Sequence, residues 1–228
     1  MKKLFVSYVV ASAAAIVYLF LQVEKLKAPD ILRTRGIIVM DSAGRDRILI
    51  GAPFPYSEDR VRTDTAQVRR HWASRYEADQ YMAWYRDYHH GGNGILVLNE
   101  SGFDKILLGD DLADPNTGRR IAEPTGLLWN DDNGFERGGL GLNRLKENGR
   151  YRNMLGFDDE TGEALHIGLF EDGTKMIRFA WADSVLLLGR GTPGNFLFEE
   201  PKPFVGIQVK SAQNKTGYRV NWVGRTGQ

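Results

Sequence analysis

One sixteen-residue pattern recurs along this chain and limits the folds that it can adopt. GIIVMDSAGRDRILIG occupies residues 36–51, and GILVLNESGFDKILLG occupies residues 94–109 with eight identical positions. A third copy, GLLWNDDNGFERGGLG, covers residues 126–141, and a fainter fourth, MLGFDDETGEALHIGL, covers residues 154–169. Each copy places a glycine between two mostly apolar runs, which is the pattern of two strands joined by a tight turn. The repeat therefore predicts a series of β-hairpins.

The apolar runs within the repeat indicate where its strands lie in the fold. Runs such as IIVM at 37–40 and ILVL at 95–98 do not alternate with polar residues. Continuous runs of this kind are typical of strands that are buried on both faces or that lie in the middle of the sheet, and we expect one of these two positions. The segment 204–224 predicts one more hairpin at the C-terminal end. The expected fold class is mainly β, with the hairpins forming a sandwich, a barrel or a solenoid-like domain.

One segment, residues 63–90, interrupts the β pattern between the first two copies. It contains no glycine or proline, and it predicts one inserted long α-helix of about six or seven turns. Its aromatic residues are Trp72, Tyr76, Tyr81, Trp84, Tyr85 and Tyr88. These rings could pack on the β domain. Because rings with polar tips suit partly wet interfaces, the functional interpretation is a helix that docks on a protein or on a membrane surface.

The first thirty residues predict a membrane anchor. Residues 4–23 carry no charge and would span about 30 Å as a helix, the thickness of a bilayer core. The apolar stretch is too long for a cleaved signal peptide, so we expect a single transmembrane signal anchor over residues 1–27 and a β-rich domain over 28–228. Ser7, Ala11 and Ala15 share one helix face that would allow close approach of another membrane helix. The alternative is a lone anchor surrounded by lipid.

The charges around the anchor give opposing indications of its orientation. More lysine and arginine follow the span than precede it, which favours a cytoplasmic domain. The short N-terminus, with Lys2 and Lys3 directly before the apolar run, is typical of an export signal instead. We expect the bacterial inner membrane, with the β domain on the extracytoplasmic side.

Several kinds of chemistry lack the residues that they require. The chain has no cysteine and a net charge of only +1, which excludes thiolate sites and argues against nucleic-acid binding. The acidic stretches 130–134 and 158–162 lack the EF-hand pattern and read as turns. His71, His89, His90 and His166 have no metal-site spacing. We predict no catalytic residue, no metal ligand and no cofactor, and hence no enzyme.

The repeats also carry a family resemblance. VMDSAGRDRILIG, VLNESGFDKILLG and NDDNGFERGGL resemble a group of uncharacterised bacterial membrane-anchored proteins. Their repeats have the form hydrophobic-x-D-x-x-G-x-x-R-x-x-L-G. The resemblance covers about 90 residues in pieces. It implies a β-rich, membrane-tethered module and brings no activity with it.

Two functions from different classes remain at this point. The first is a non-enzymatic accessory or scaffold subunit that docks on a larger membrane protein complex, with other subunits and the lipid bilayer as its partners. Membrane protein complexes that are purified intact are often energy-transducing. By this association alone, we expect the partner to be a photosynthetic or respiratory complex. The alternative is a tethered module that binds glycan, peptidoglycan or a small ligand, with Trp129, Trp181 and Trp222 as stacking platforms.

Overall fold

The computed structural model describes residues 2–25, 31–88, 90–117, 122–181, 183–211 and 216–221, with the backbone alone at 2–10, 23–25 and 216. The chain divides into two compact units, residues 1–35 and 36–228. Helix α1 (Lys2–Lys25) makes up most of the first unit. Over its described residues, none of the helices is both long and apolar enough to cross a membrane. The predicted span at 4–23 includes residues 4–10 and 23, whose side chains lie outside the described part of the structure.

The second unit is built on one antiparallel sheet of twelve strands, which lie side by side in chain order. The strands are β1 (Gly36–Met40), β2 (Asp46–Gly51), β3 (Asn93–Leu98), β4 (Asp104–Asp110), β5 (Ala122–Asn130), β6 (Glu136–Leu145), β7 (Tyr151–Asp159), β8 (Gly162–Leu169), β9 (Lys175–Ala180), β10 (Ser184–Gly191), β11 (Phe204–Ser211) and β12 (Thr216–Asn221). The mainly β prediction is confirmed. The hairpins form one open sheet, however, and not a sandwich, a barrel or a solenoid.

The four sequence repeats correspond to the first four hairpins. In the first copy the Gly44 amide donates to the Asp41 carbonyl at 3.0 Å, and Gly44 has a φ of 80°. The Asp41 carboxylate accepts hydrogen bonds from two amides of the same turn, those of Ala43 and Arg45. The second and third copies repeat these bonds at Asn99 with Gly102 and at Asp131 with Gly134. The acid or amide of the repeat is therefore a turn-forming residue.

A row with glycine at nine of its twelve positions crosses the whole sheet. The residues that lie opposite one another from β1 to β12 are Gly36, Gly51, Gly94, Gly109, Gly126, Gly141, Met154, Gly168, Met176, Gly189, Gly206 and Asn221. Several of these glycines have extended backbone with positive φ, as at Gly109 with 155°. A Cβ atom there would overlap the Asn93 carbonyl oxygen of the adjacent strand. The terminal glycines of the repeat therefore allow close strand approach along this row.

One face of the sheet, the covered face, carries the core of the domain. Leu49, Leu96 and Leu107 lie side by side there and are 0%, 0% and 4% exposed. Phe54 and Leu112, from outside the strands, complete this cluster. A second cluster at the other end of the sheet includes Phe198 and Phe204. The hydrophobic free energy of folding is thus concentrated on one side of the sheet.

The inserted segment is not the single long helix that the sequence predicts. It contains α2 (Thr65–His71), a 3₁₀ turn (Ala73–Arg75) and α3 (Ala78–Tyr85). Tyr76 has extended backbone, and the Glu77 carboxylate caps α3 by accepting from the Gln80 amide at 2.7 Å. The break lets the aromatic rings of both helices enter one core, which a straight helix of this length could not do. Burial of those rings outweighs the uninterrupted helix propensity of the segment.

Of the two positions expected for the strands, burial on both faces is wrong. In β1 the side chains of Ile37, Ile38 and Val39 are 37%, 40% and 42% exposed. Central strands differ, because only one of their faces is exposed. Leu107 is buried whereas its neighbours Ile106 and Leu108 are 41% and 47% exposed. The runs are continuous because both faces of the sheet are apolar, although elements of this domain cover only one of them.

Candidate functional site

The face opposite the covered face, here called the open face, carries two complete rows of apolar side chains. The first row is Ile37, Ile50, Ile95, Leu108, Leu127, Leu140, Leu155, Ile167, Ile177, Leu188, Ile207 and Val220. The second row is Val39, Ile48, Val97, Ile106, Trp129, Gly138, Phe157, Leu165, Phe179, Leu186, Val209 and Tyr218. No charged residue interrupts either row.

The open face is both exposed and large. Leu140 is 54% exposed, Leu108 is 47% exposed and Phe157 is 41% exposed. Twelve strands spaced about 4.8 Å apart give a width of about 53 Å, and the two rows, each taking up about 6.6 Å along the strands, cover about 13 Å, so the patch has a footprint of roughly 700 Å². The largest apolar patch on a typical monomer is about 300–600 Å², so this one exceeds the range for an isolated soluble domain.

A mixed polar row borders the open face. Its exposed charged members are Asp110 on β4, Lys175 on β9 and Arg190 on β10. On the other side of the apolar rows lie turn residues, where Arg137 pairs with Asp131 at 2.8 Å. An apolar centre with a polar rim is the usual anatomy of a protein–protein interface.

The aromatic residues of the insertion lie mostly inside the domain. Trp72, Tyr81, Tyr85 and Tyr88 are between 0% and 7% exposed, and they pack with Phe103 and Phe135. Trp84 is partly buried against the same cluster, and Tyr76 is 42% exposed. The structure therefore brings five of the six predicted rings into one core. Of this predicted docking set, only Tyr76 keeps a largely free surface.

Two arginines hold the insertion in place, Arg60 through the sheet and Arg62 through the aromatic rings of the insertion itself. Arg60 forms a buried pair with Asp104, with side chains 6% and 4% exposed. The Arg62 guanidinium lies over the Trp72 ring at 3.5 Å and donates to the Tyr81 hydroxyl at 3.0 Å. Burial raises the pKa of Tyr81, although Arg62 opposes the shift. These contacts stabilise the insertion, and a role in stability is sufficient to explain the residues that make them.

A groove of about 380 Å³ lies on the covered face over β5 to β8. Its floor includes Gly126, Gly139, Gly141 and Gly156, whose missing side chains leave the space. The carboxylates that line it are Asp114, Glu136, Asp158 and Glu163. No aromatic ring is among its lining residues, so the groove has no stacking platform for a sugar.

The two carboxylates at the end of this groove, Asp158 and Glu163, lie in different surroundings. Burial, followed by the nearby Glu163 carboxylate, raises the pKa of Asp158. Glu163 lies directly opposite Asp158 in the sheet, and it accepts from His166 Nδ1 at 3.2 Å and pairs with Arg178 at 3.2 Å. Sequence reasoning missed this group, because only the register of β7, β8 and β9 brings its members together.

The acidic stretches and the histidines form no metal site among the described residues. In the stretch 158–162 the Asp159 carboxylate accepts from the Thr161 amide and hydroxyl, both at 2.7 Å, as a turn-forming acid does. His166 is 5% exposed beside Glu163. His71 packs edge-on against Phe103 at 4.9 Å, and His89 lies outside the described residues.

The remaining predicted interaction residues are dispersed. Trp129 lies within the open face and contacts Phe157, with ring centroids 5.6 Å apart. Trp181 is 57% exposed, and Trp222 lies outside the described residues. On α1, Ala11 and Ala15 are exposed, whereas the Ser7 side chain lies outside the described part. The structure does not bring Trp129 and Trp181 together, since Trp129 lies on β5 and Trp181 follows β9.

The open face is the candidate functional surface that sequence reasoning missed. Its signal was present, because aligning the repeats in hairpin register places the second and fourth residues of each repeat on one face. No match to the chain is found among protein-family models, curated proteins or solved structures.

Proposed function

We propose that the chain is a non-enzymatic, single-pass accessory subunit that docks on a larger membrane protein complex and stabilises it. The open face carries this proposal. Its two apolar rows cross all twelve strands and are about half exposed at Leu140 and Leu108. Each Å² of this apolar surface that a partner buries would contribute roughly 25 cal/mol of favourable hydrophobic free energy.

The chemistry of the open face defines the partner surface. The rows contain aliphatic and aromatic side chains without a charge, so they match an apolar, charge-poor surface on another subunit. Their area of roughly 700 Å² approaches the 800 Å² or so per partner of a standard stable interface. Polar groups such as Asp110 and Lys175 lie at the border, where they would remain in contact with water.

The N-terminal residues complete the proposal. An anchor over residues 1–27 would hold the domain beside the bacterial inner membrane, with the domain on the extracytoplasmic side. The uncharged stretch 4–23 supports an anchor of this kind. The partner complex would be an energy-transducing one, photosynthetic or respiratory, which is an assignment by association.

The test is mild solubilisation of the native membrane, followed by purification through a tag at the C-terminus. We expect the chain to be recovered at fixed stoichiometry with the subunits of one membrane complex. Protection of the open face from solvent labelling within that complex, and its loss on dissociation, would identify the docking surface. Recovery of a lone monomer from intact membranes would contradict the proposal.

The groove on the covered face favours a second function, a tethered binding module. Its volume of about 380 Å³ falls within the usual size range of small-ligand pockets. Because no ring lines it, it suits a compact ligand better than a stacked glycan. Soluble stem peptides of peptidoglycan, which carry no sugar, should raise the melting temperature of the full chain if this function is correct. An unchanged melting temperature at saturating concentrations would count against it.

A further inference from the structure

Two cations on the border of the open face lie side by side without a neutralising group. Lys175 on β9 is directly opposite Arg190 on β10, and both side chains are exposed on the open side of the sheet. Within the described part of the chain, neither side chain forms an ion pair or a hydrogen bond. Like charges directly opposite each other on adjacent strands repel, so this arrangement destabilises the isolated domain.

The other cations of the sheet are neutralised. Every other arginine or lysine of the described strands forms an ion pair, from Arg47 with Asp41 at 3.3 Å on β2 to Arg219 with Glu200 at 2.9 Å on β12. The exception is therefore confined to two opposed positions on adjacent strands. Stability of the domain does not explain such a pair, whereas binding of an anionic group would.

The carboxylates nearest to the pair are engaged elsewhere. Its neighbours in the same row are Leu169 on β8 and Val205 on β11, neither of which carries a charge. Just before β9, the Glu171 carboxylate is held by an arginine at 2.6 Å. The next residue, Asp172, accepts hydrogen bonds from two side chains of the loop after β10. The anionic group for the pair would therefore come from another molecule.

The pair lies next to the apolar rows of the open face. Lys175 is two residues before Ile177, and Arg190 is two residues after Leu188, and both apolar residues belong to the first row. Two residues of a strand span about 6.6 Å. A surface that buries Leu188 therefore comes within reach of both cations.

The signs of the charges around the open face favour a folded protein over a lipid surface as the source of the anion. Asp110 lies on β4 in the same border row as Lys175. Glu160 is exposed in a turn on the other side of the apolar rows. A leaflet rich in anionic lipid would repel these two carboxylates while attracting the cations. A protein surface can instead place one acidic group opposite the cationic pair alone.

We propose that Lys175 and Arg190 together bind a carboxylate side chain of the subunit that docks on the open face, and that this contact sets the orientation of that subunit. The inference rests on the proposed docking function and specifies its partner. The partner surface has an apolar centre and an aspartate or glutamate at the border that faces β9 and β10. Charges at the rim of an interface determine orientation and specificity more than affinity, so the apolar rows remain the main source of affinity.

Lys175→Glu tests the proposal because stability and assembly should change in opposite directions. The variant turns a repulsive pair into an attractive one, so the melting temperature of the chain without its partner should rise. It also places a negative charge against the partner carboxylate, so recovery of the complex should fall about tenfold. Arg190→Glu should behave in the same way and provides a second test. A higher melting temperature with unchanged or increased recovery for both variants would overturn the proposal.

Lys202→Glu is the matched control. Lys202 is an exposed lysine of the loop before β11, and this loop packs on the covered face through Phe198. Reversing its charge should leave recovery of the complex unchanged. An equal loss for Lys202→Glu and Lys175→Glu would show that net charge, and not the opposed pair, governs assembly, and would overturn the proposal.

Carbodiimide treatment of the intact complex identifies the partner group directly, because it couples an amine to a carboxylate that contacts it. Lys175 should become joined to an aspartate or glutamate of another subunit. If Leu140→Lys abolishes recovery while Lys175 neither cross-links nor affects recovery, this inference is wrong and the docking function stands. Recovery of the wild-type chain without any partner would contradict the docking function itself.

Discussion

Arg60 donates two parallel hydrogen bonds to Asp104, from Nε to Oδ1 at 2.8 Å and from Nη2 to Oδ2 at 2.7 Å. Asp104 begins β4, and Arg60 lies in the connection that leads to the insertion. Burial by itself lowers the pKa of Arg60, but the adjacent carboxylate outweighs burial and raises it. The pair thus holds the inserted segment to the sheet.

Removing one member of this pair should be much worse than removing both. Asp104→Ala leaves the buried Arg60 charge without its partner, and we expect a loss of about 3–5 kcal/mol in the free energy of unfolding. Urea denaturation measures this loss. The double variant Arg60→Met with Asp104→Leu should recover a large part of it, and equal losses in the single and double variants would contradict the argument.

The glycine row gives a second stability prediction. Gly109→Ala places a Cβ atom against the Asn93 carbonyl at a φ of 155°, so we expect a loss of about 2–4 kcal/mol. Gly156→Ala is the matched control, since that strand glycine has space for a methyl group. Its effect should stay within about 1 kcal/mol. Similar melting temperatures for the two variants would rule out the close approach as the reason for the row.

Mutation can show which of the aromatic residues predicted for docking are needed instead for the stability of the domain. Tyr81 is 1% exposed and donates to the Asn116 carbonyl at 2.6 Å, so Tyr81→Ala should cost about 3–5 kcal/mol of stability. Tyr76→Ala, at a 42% exposed position, should cost less than about 1 kcal/mol. Thermal unfolding measures both. A Tyr81→Ala variant with wild-type stability would instead favour a role for that ring in docking.

Adjacent carboxylates should respond to pH in opposite directions. Burial and the Glu163 carboxylate raise the pKa of Asp158, so its stabilising contribution is complete below pH 3.8 and declines as the pH rises through its folded pKa. Hydrogen bonds from Thr161 lower the pKa of Asp159, so its contribution is present above pH 3.8 and declines as the pH falls.

Asparagine variants test both signs in one experiment. At neutral pH we expect Asp158→Asn to raise the melting temperature and Asp159→Asn to lower it. Both differences from the wild type should shrink in acid, as the carboxyl groups of the wild type become protonated. A lower melting temperature for Asp158→Asn would show that the surroundings do not disfavour the Asp158 carboxylate, and a higher one for Asp159→Asn would contradict the stabilising role of the Thr161 hydrogen bonds.

A charge placed in the open face should weaken assembly of the complex while leaving the stability of the folded domain nearly unchanged. Leu140→Lys places a charge in the middle of the first apolar row, at a position that is 54% exposed. The folded domain should tolerate it within about 1 kcal/mol, since the side chain already meets water. Recovery of the complex by affinity purification should fall at least about tenfold, which corresponds to about 1.4 kcal/mol.

Phe196→Lys is the control for that variant. Phe196 is 61% exposed but belongs to the loop before β11, outside the two rows. It should leave co-purification unchanged. If the two lysine variants reduce assembly equally, general surface hydrophobicity and not the open face explains the association.

The sequence predicts the hairpins because their signal is local. A glycine such as Gly44, preceded by Asp41, determines the turn through contacts within five residues. The order of the hairpins follows, since consecutive strands usually pair. Whether the strands close, stack or remain open depends on contacts between distant residues, and the repeat contains no information about that choice.

The insertion and the open face show where local reasoning fails. No breaker residue marks the bend near Tyr76, which arises because burial of Trp72 and Tyr81 in one core requires it. Continuous apolar runs indicate strands with two apolar faces. They do not indicate which face the chain covers itself, and here Leu107 is covered whereas Leu108 is not.

The glycine row has a consequence for how a sheet of this kind can change in size. Because the glycine recurs at the same register in nine of the twelve strands, a whole hairpin could be duplicated or deleted without disturbing the alignment of the remaining strands. Strand direction alternates, so the sheet could grow or shrink only by two strands at a time. Evolution could therefore change the width of such a sheet in steps of about 10 Å. Each step would add two strands, and each added strand would carry the same pair of apolar positions.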